Sequence, residues 1–181
     1  MRGIVSTLLC GLCLFSFAAC SKTEQANNNL ATATPSSSAS PAVATKTPPA
    51  NIVTASAAEV QLTANGSADA AVQVNIMSGY HINGNPASKY QIATSIDVEA
   101  ADGITVGQPQ YPPYEMKKFA FSPDPIAVYE GQATIRVPLK ANAQATKGSH
   151  TLRAKVRVQP CDDQVCYPPR NIETSLPIVV K

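Results

Sequence analysis

The sequence has little net charge and no pattern that favours long helices. Its 14 lysine and arginine residues stand against 12 aspartate and glutamate residues, for a formal net charge of +2. Nucleic-acid-binding proteins usually carry a basic excess or a basic run, so we expect no nucleic acid as a partner. Fifteen prolines and the lack of an apolar stripe repeating every 3.6 residues argue against helices. The composition therefore favours β structure.

The N-terminal segment is uncharged and mostly apolar after Arg2. Its apolar run is shorter than the ~20 residues that a membrane-spanning helix needs. The run ends in Phe17-Ala18-Ala19-Cys20, and small residues before a cysteine are typical of bacterial lipoprotein signals. We therefore predict a signal peptide over residues 1–19 and lipidation at Cys20. The alternatives are a plain secretory signal and a transmembrane anchor.

Residues 20–55 are predicted to be a disordered linker that follows the acylated cysteine. This stretch is rich in Ala, Ser, Thr and Pro and has almost no large apolar side chain. It therefore cannot bury enough surface to offset the entropy lost on ordering. As a random coil it would hold residues 56–181, the predicted folded domain, ~30–35 Å from the lipid. Ser21 is not the aspartate associated with inner-membrane retention, so we expect a periplasmic domain anchored at the outer membrane.

The predicted domain alternates between apolar and polar residues, as half-buried strands do. Asn65-Gly66 and Glu130-Gly131 lie between such runs and suit turns. Strands of this number and spacing, about eight, predict an all-β fold, an antiparallel β-sandwich. The clearest apolar positions are Val72, Val74, Ile76, Ile135, Val137, Leu139, Leu152, Ala154, Val156 and Val158.

The segment from Gly107 to Ala127 does not fit the strand pattern, because it is dense in proline and aromatic residues. Insertions of this length in a compact domain are usually functional or disordered. Its aromatic side chains, which include Phe119 and Phe121, disfavour disorder. We therefore predict a packed loop that covers another part of the domain.

Cys161 and Cys166 are the cysteines that remain apart from Cys20 and the signal peptide. They lie between β-patterned runs, so a hairpin-like connection would bring the sulfurs together, and they should pair in an oxidising compartment. A ring this short contributes only ~2.2 kcal/mol of stability in the chain-entropy model. A structural bridge would more usefully link distant strands. The residues alone leave a structural disulfide and a redox centre equally open.

Other chemistries have weaker support. Cys-x4-Cys with the remote His81 and His150 matches zinc-site spacing poorly, so we predict no metal. No Gly-x-Ser-x-Gly or comparable arrangement supports nucleophilic hydrolysis. We expect neither a cofactor nor a small-molecule substrate.

The cysteine segment resembles a known family. Residues 161–169, Cys-Asp-Asp-Gln-Val-Cys-Tyr-Pro-Pro, are similar to the active-site segment of the N-terminal periplasmic domain of the thiol:disulfide interchange protein DsbD. Residues 79–83, 111–119 and 127–131 also resemble segments of that family. The similarity covers most of residues 58–181, and the Cys…Cys-Tyr-Pro-Pro element is its most specific part.

The resemblance implies an immunoglobulin-like domain that passes electrons between a thioredoxin-like donor and periplasmic protein acceptors, including proteins of cytochrome c biogenesis. It implies that Cys166 forms mixed disulfides and that Cys161 resolves them, with Phe119 or Phe121 shielding the disulfide on a cap loop. Residues implied to lie near this site are Tyr80, Asp162, Asp163, Tyr167 and Pro168.

The best-known family members also carry a transmembrane electron carrier and a thioredoxin-like domain, which this sequence lacks. We therefore expect a separate protein to supply the electrons, and the lipid anchor to replace the membrane domain. Whether the pair is enzymatically active as a protein-disulfide reductase stays open. The alternative is a non-catalytic immunoglobulin-like binding lipoprotein with a structural disulfide.

Overall fold

The computed structural model describes residues 47–101 and 103–181. Within these ranges the chain forms strands and no helix, and no helix there is long and apolar enough to cross a membrane. The strands are β1 (Val53–Ala57), β2 (Val60–Leu62), β3 (Ser67–Ile76), β4 (His81–Asn83), β5 (Ser95–Val98), β6 (Ile104–Val106), β7 (Glu115–Lys117), β8 (Ile126–Tyr129), β9 (Gln132–Ala141), β10 (Gly148–Val158), β11 (Pro160–Cys161) and β12 (Arg170–Val180).

The described strands form three four-stranded sheets. The first has the order β1-β3-β9-β6 and the second the order β2-β12-β10-β5, and one continuous apolar core joins their inner faces. The pairs are antiparallel except β2 with β12, which is parallel. The predicted all-β, immunoglobulin-like sandwich is confirmed.

Strand β10 shows why the alternating sequence gives this core. Leu152, Ala154, Val156 and Val158 are all buried, while the Arg and Lys residues between them are exposed. The strand pairs with β12 along its whole length, from Gly148 opposite Val180 to Val158 opposite Arg170. Burying each such apolar side chain contributes about 1.5–3 kcal/mol, which fixes the face that β10 turns inward.

The start of the domain corrects the predicted end of the linker at residue 55. Strand β1 begins at Val53 and pairs with β3, so residues 53–55 belong to the first sheet. Ile52, just before it, is fully buried in the core. The small Ala and Ser side chains of β1 concealed the strand in the composition. The predicted signal peptide, Cys20 and the linker up to residue 46 lie outside the described residues.

The third sheet, with the order β11-β4-β8-β7, carries the cysteines. Strand β4 lies between β11, which ends at Cys161, and β8. The edge strand β7 comes from the segment predicted to be a packed loop. That segment is anchored to the sandwich by Tyr111, whose hydroxyl accepts a hydrogen bond from the backbone N–H of Ile96 at 3.1 Å. The sheet thus places the aromatic segment beside the cysteine strand.

Candidate functional site

Cys161 and Cys166 form a disulfide, with Cα atoms 4.0 Å apart. The intervening turn is held by Asp162, whose side-chain carboxylate accepts hydrogen bonds from the backbone N–H groups of Gln164 and Val165, both at 2.9 Å. Its own N–H donates to the carbonyl of Val165 at 3.0 Å. An aspartate that bonds the backbone two and three residues ahead is a typical turn former. The sequence between the cysteines thus shapes the ring that they close.

The two cysteines differ in exposure. Cys161, at the end of β11, is fully buried, whereas Cys166 is partly exposed. Asp163 and Pro168 are exposed on either side of Cys166. An incoming thiolate needs access to a sulfur, and Cys166 is the cysteine that solvent reaches.

Tyr167 fixes the chain directly after Cys166. It is 2% exposed, and its hydroxyl donates a 2.7 Å hydrogen bond to the Asp162 carboxylate. Its N–H donates to the carbonyl of Pro160 at 2.8 Å, and its ring centroid lies 6.4 Å from that of Tyr80. The predicted near-site residues Tyr80, Asp162 and Tyr167 are therefore brought together.

Hydrogen bonds between buried and partly buried side chains tie strand β4 to the chain on both sides of the cysteine turn. The Asn83 amide on β4 donates to the carbonyl of Ile92 at 3.0 Å and to the side-chain oxygen of Gln159 at 3.1 Å. The Gln159 amide in turn donates to the carbonyl of Tyr167 at 3.3 Å. These three hydrogen bonds restrict the backbone on either side of the cysteine turn, although Asn83 Oδ1 itself makes none among the described residues.

An aromatic stack lies over β4. The ring of His81 is stacked on that of Phe119, with centroids 4.1 Å apart, and the ring of Phe121 lies 5.3 Å from that of Phe119 and 6.3 Å from that of His81. Phe119 is buried and Phe121 is half-exposed. Both candidate cap residues thus lie against His81, and by burial Phe119 is the inner ring and Phe121 the outer ring.

His81 is a site residue that the sequence reasoning missed, since it was weighed only as a weak metal ligand. In the structure it is the direct cross-strand partner of Cys161. The signal that could have identified it is its position directly after Gly79-Tyr80, in a segment with family resemblance. The structure does not bring His150 to this site, because that residue lies on β10, about 25 Å along the strand from its cysteine end.

The electrostatics of His81 are set by burial. Its side chain is 1% exposed, and desolvation lowers the pKa of the imidazole below its ordinary value of 6.5. Glu130, Asp163 and Asp162 oppose that change in pKa, whereas Lys117 adds to it. Lys117 is itself hydrogen-bonded to Glu130.

Within residues 47–101 and 103–181, no group of three or more His, Cys, Asp and Glu side chains is placed to hold a metal ion. What the site presents is a disulfide with one buried and one accessible cysteine, next to a buried imidazole under two phenylalanine rings. This arrangement is suited to exchange with another protein's thiols.

Fold and disulfide together define an immunoglobulin-like domain of the thiol–disulfide interchange class. The family model described as "Thiol:disulfide interchange protein DsbD, N-terminal" matches residues 50–177. The chain belongs to this family, which confirms the resemblance found in the cysteine segment. Proteins of the family interact with thioredoxin-like redox proteins.

The solved structures that resemble this chain include two N-terminal domains. The N-terminal domain of Neisseria meningitidis DsbD in the reduced form is 24% identical, with a TM-score of 0.42, covering 62% of this chain and 79% of that chain. The N-terminal periplasmic domain of ScsB from Proteus mirabilis is 14% identical, with a TM-score of 0.48, covering 67% of this chain and 44% of that chain. The present chain thus spans less than half of the ScsB chain. The comparison with curated protein sequences gives no match.

Proposed function

We propose that this protein passes electrons by thiol–disulfide exchange between a thioredoxin-like donor and protein acceptors outside the cytoplasm, through Cys161 and Cys166. The observation that carries the proposal is the unequal exposure of the two cysteines, with Cys161 fully buried and Cys166 partly exposed. A partner can therefore attack one sulfur while the other is held as the leaving and resolving group.

The reaction begins when a donor thiolate attacks the Cys166 sulfur. The Cys161–Cys166 bond breaks, Cys161 leaves as a thiolate that takes up a proton, and a mixed disulfide joins the donor to Cys166. The donor's second thiolate then attacks its own bonded sulfur and releases Cys166. Two electrons have moved to the pair, and the donor is left as a disulfide.

The same exchange steps in the opposite direction pass the two electrons from the reduced cysteine pair to an acceptor. The Cys166 thiolate attacks an acceptor disulfide, and Cys161 then resolves the mixed disulfide by attacking Cys166. Acceptors of this chemistry include protein disulfide isomerases and the thioredoxin-like proteins of cytochrome c maturation. The chain would thereby act as a protein-disulfide reductase.

The aromatic stack would restrict this exchange to matched partners. Phe119 and Phe121 cover β4, the strand next to Cys161, and they would shield the sulfurs from small oxidants and reductants. A partner that displaces their loop would gain access.

Lipid anchoring completes the proposal. Cleavage after residue 19 and acylation of Cys20 would hold the domain at the membrane, by preference the outer membrane, on a linker that begins at residue 20. Support comes from the small residues before Cys20 and the Ala/Ser/Thr/Pro composition that follows.

A glutathione redox titration of the purified full-length chain tests the exchange. Alkylation at Cys161 and Cys166, located by peptide mass spectrometry, reports reduction, and circular dichroism reports folding. A midpoint within roughly −150 to −250 mV with the fold intact is expected of an exchange protein. A midpoint below about −300 mV, or reduction only on unfolding, would establish a structural disulfide and a binding module instead.

A matched pair of variants tests the assigned roles in intact cells. Cys161→Ala keeps the accessible sulfur and should trap partners as mixed disulfides, because nothing resolves them. Cys166→Ala leaves only the buried sulfur and should trap few. Equal trapping by both variants would contradict the assignment.

A further inference from the structure

The imidazole of His81 is buried next to the disulfide with an unused nitrogen. Nε2 is inaccessible to solvent and makes no hydrogen bond to any of the described residues. Buried polar atoms are nearly always hydrogen-bonded, and leaving one unpaired costs about 1–3 kcal/mol. An orphan nitrogen at a reactive site therefore calls for a chemical explanation.

The sheet register places His81 opposite one particular cysteine. His81 on β4 is directly opposite Cys161 on β11, so their side chains share one face of the sheet with Cβ atoms about 4.5–5.5 Å apart. The ring of Phe119 is stacked on the imidazole, with centroids 4.1 Å apart. His81 thus contacts the cap ring and is the cross-strand neighbour of the cysteine that resolves mixed disulfides.

The charges around His81 suit a group that takes up a proton and then releases it. Desolvation lowers the pKa of the ring, so it is neutral near pH 7 and has a free lone pair. The charged groups that face it are Glu130 at the end of β8, Asp162 and Asp163 in the cysteine turn, and Lys117 on β7. The three carboxylates would stabilise an imidazolium once it forms, and Lys117 would oppose it.

A cavity gives the proton a route to solvent. His81, Tyr80, Glu130 and Asp163 are among the residues lining a surface cavity of about 360 Å³. That volume is ample for several water molecules, and the two carboxylates in its wall attract a departing proton.

We propose that His81 is the proton acceptor for the Cys161 thiol when Cys161 resolves a mixed disulfide at Cys166, an inference that rests on the exchange function proposed above. The Cys161 thiol gives its proton to Nε2, and the resulting thiolate attacks the Cys166 sulfur. The bond from Cys166 to the acceptor breaks, and its electron pair leaves on the acceptor sulfur, which is protonated by water. The imidazolium then loses its proton to the cavity. When the pair is reduced, the same steps run backwards.

The need for a base follows from the surroundings of Cys161. The residue is fully buried, and burial and nearby Asp162 and Asp163 all disfavour a free thiolate. A buried thiol that must act as a nucleophile requires a neighbour to remove its proton. Among the described side chains, His81 is the one that the register places directly opposite it.

The test measures resolution of a mixed disulfide at several pH values. The reduced full-length chain is mixed with oxidised glutathione, quenched in acid and analysed by peptide mass spectrometry, which separates the glutathionylated intermediate from the closed disulfide. The variants are His81→Phe, which keeps a ring to stack on Phe119, and His81→Gln, which avoids added bulk. His150→Gln is the matched control, since its side chain is partly exposed, lies far from the cysteines and bonds the Thr146 carbonyl.

In the wild type and in His150→Gln, resolution should be fast at neutral pH and decline as the imidazole becomes protonated. Both His81 variants should resolve at least about 100-fold more slowly at pH 7, the low end for general-base catalysis. The deficit should vanish at high pH, where the Cys161 thiol ionises unaided. A merely structural role would lower the rate equally at every pH.

The outcomes separate this inference from the exchange function itself. If the folded His81→Phe or His81→Gln variant resolves the mixed disulfide at the wild-type rate at every pH, His81 is not the proton acceptor. The proposed exchange function would be unaffected by that result. If the wild type forms no mixed disulfide while folded, the exchange function fails first. Retained near-ultraviolet circular dichroism establishes that each variant compared is folded.

Discussion

Reduction of the Cys161–Cys166 bond should leave the protein folded. The bond closes a ring between residues five positions apart, and neither Cys161 nor Cys166 belongs to the main core cluster. The strands on either side, β10 and β12, remain paired from Val158 opposite Arg170 to the far end of both strands. The fold around the cysteine turn is thus specified without the bond.

The size of the effect follows from the ring. Closing about six residues removes enough entropy from the unfolded chain to contribute ~2.2 kcal/mol. Small domains have about 5–15 kcal/mol of stability, so reduction removes only part of it. Truncating one core residue such as Leu152, which is 2% exposed, should cost about 2–5 kcal/mol.

The assay is urea unfolding of the oxidised and the reduced chain, followed by circular dichroism, with Leu152→Ala as the reference. The midpoint should shift to lower urea on reduction, with an unchanged slope, by an amount no larger than in Leu152→Ala. A reduced chain that is unfolded without urea, or that loses more than about 4 kcal/mol, would refute the reasoning, since the bond would then support the fold as a whole.

Three further predictions concern the cap, the buried histidine and one turn. Phe119→Ala should cost about 3 kcal/mol and speed reduction of the folded protein by dithiothreitol more than Phe121→Ala, because Phe119 is the inner ring; equal rates would contradict this. Stability should fall from about pH 7 to pH 5, because the lowered pKa of His81 lets the unfolded chain bind a proton that the folded chain does not. This contribution to the free energy of unfolding is present above pH 6.5 and is lost as the pH falls through the pKa of His81 in the folded protein. His81→Phe should therefore make the free energy of unfolding less dependent on pH between 7 and 5, and an unchanged dependence would exclude a contribution from His81. Gly103→Ala should cost more than about 2 kcal/mol in urea unfolding, because φ is +77° and a Cβ would lie 2.4 Å from Cα of Ala145; a neutral change would show that the turn relaxes.

Local pattern in the sequence determined the long strands and the disulfide. The period of two in residues such as Val72, Val74 and Ile76 is a property of neighbouring residues, and one buried face is enough to fix it as a strand. The cysteines are close in sequence, so their pairing needed no knowledge of distant contacts. The family was recognisable for the same reason, since its most specific residues are contiguous.

Tertiary structure alone decided which short segments became strands. Strands β4, β7 and β11 have three residues or fewer, too few to show a period. The start of β1 at Val53 was hidden in small residues and is fixed by pairing with β3. The parallel pairing of β2 with β12 likewise depends on the order of strands in the sheet.

The neighbour of the disulfide was decided in the same way. His81 and Cys161 are far apart in the chain, and only the register of β4 against β11 sets them opposite each other. The aromatic segment could be predicted to cover something, but the stack of Phe119 on His81 exists because β7 and β8 turn that segment back over β4. The sequence states which side chains are present. Which of them become neighbours depends on pairing between strands far apart in the chain, and no local pattern predicts that pairing.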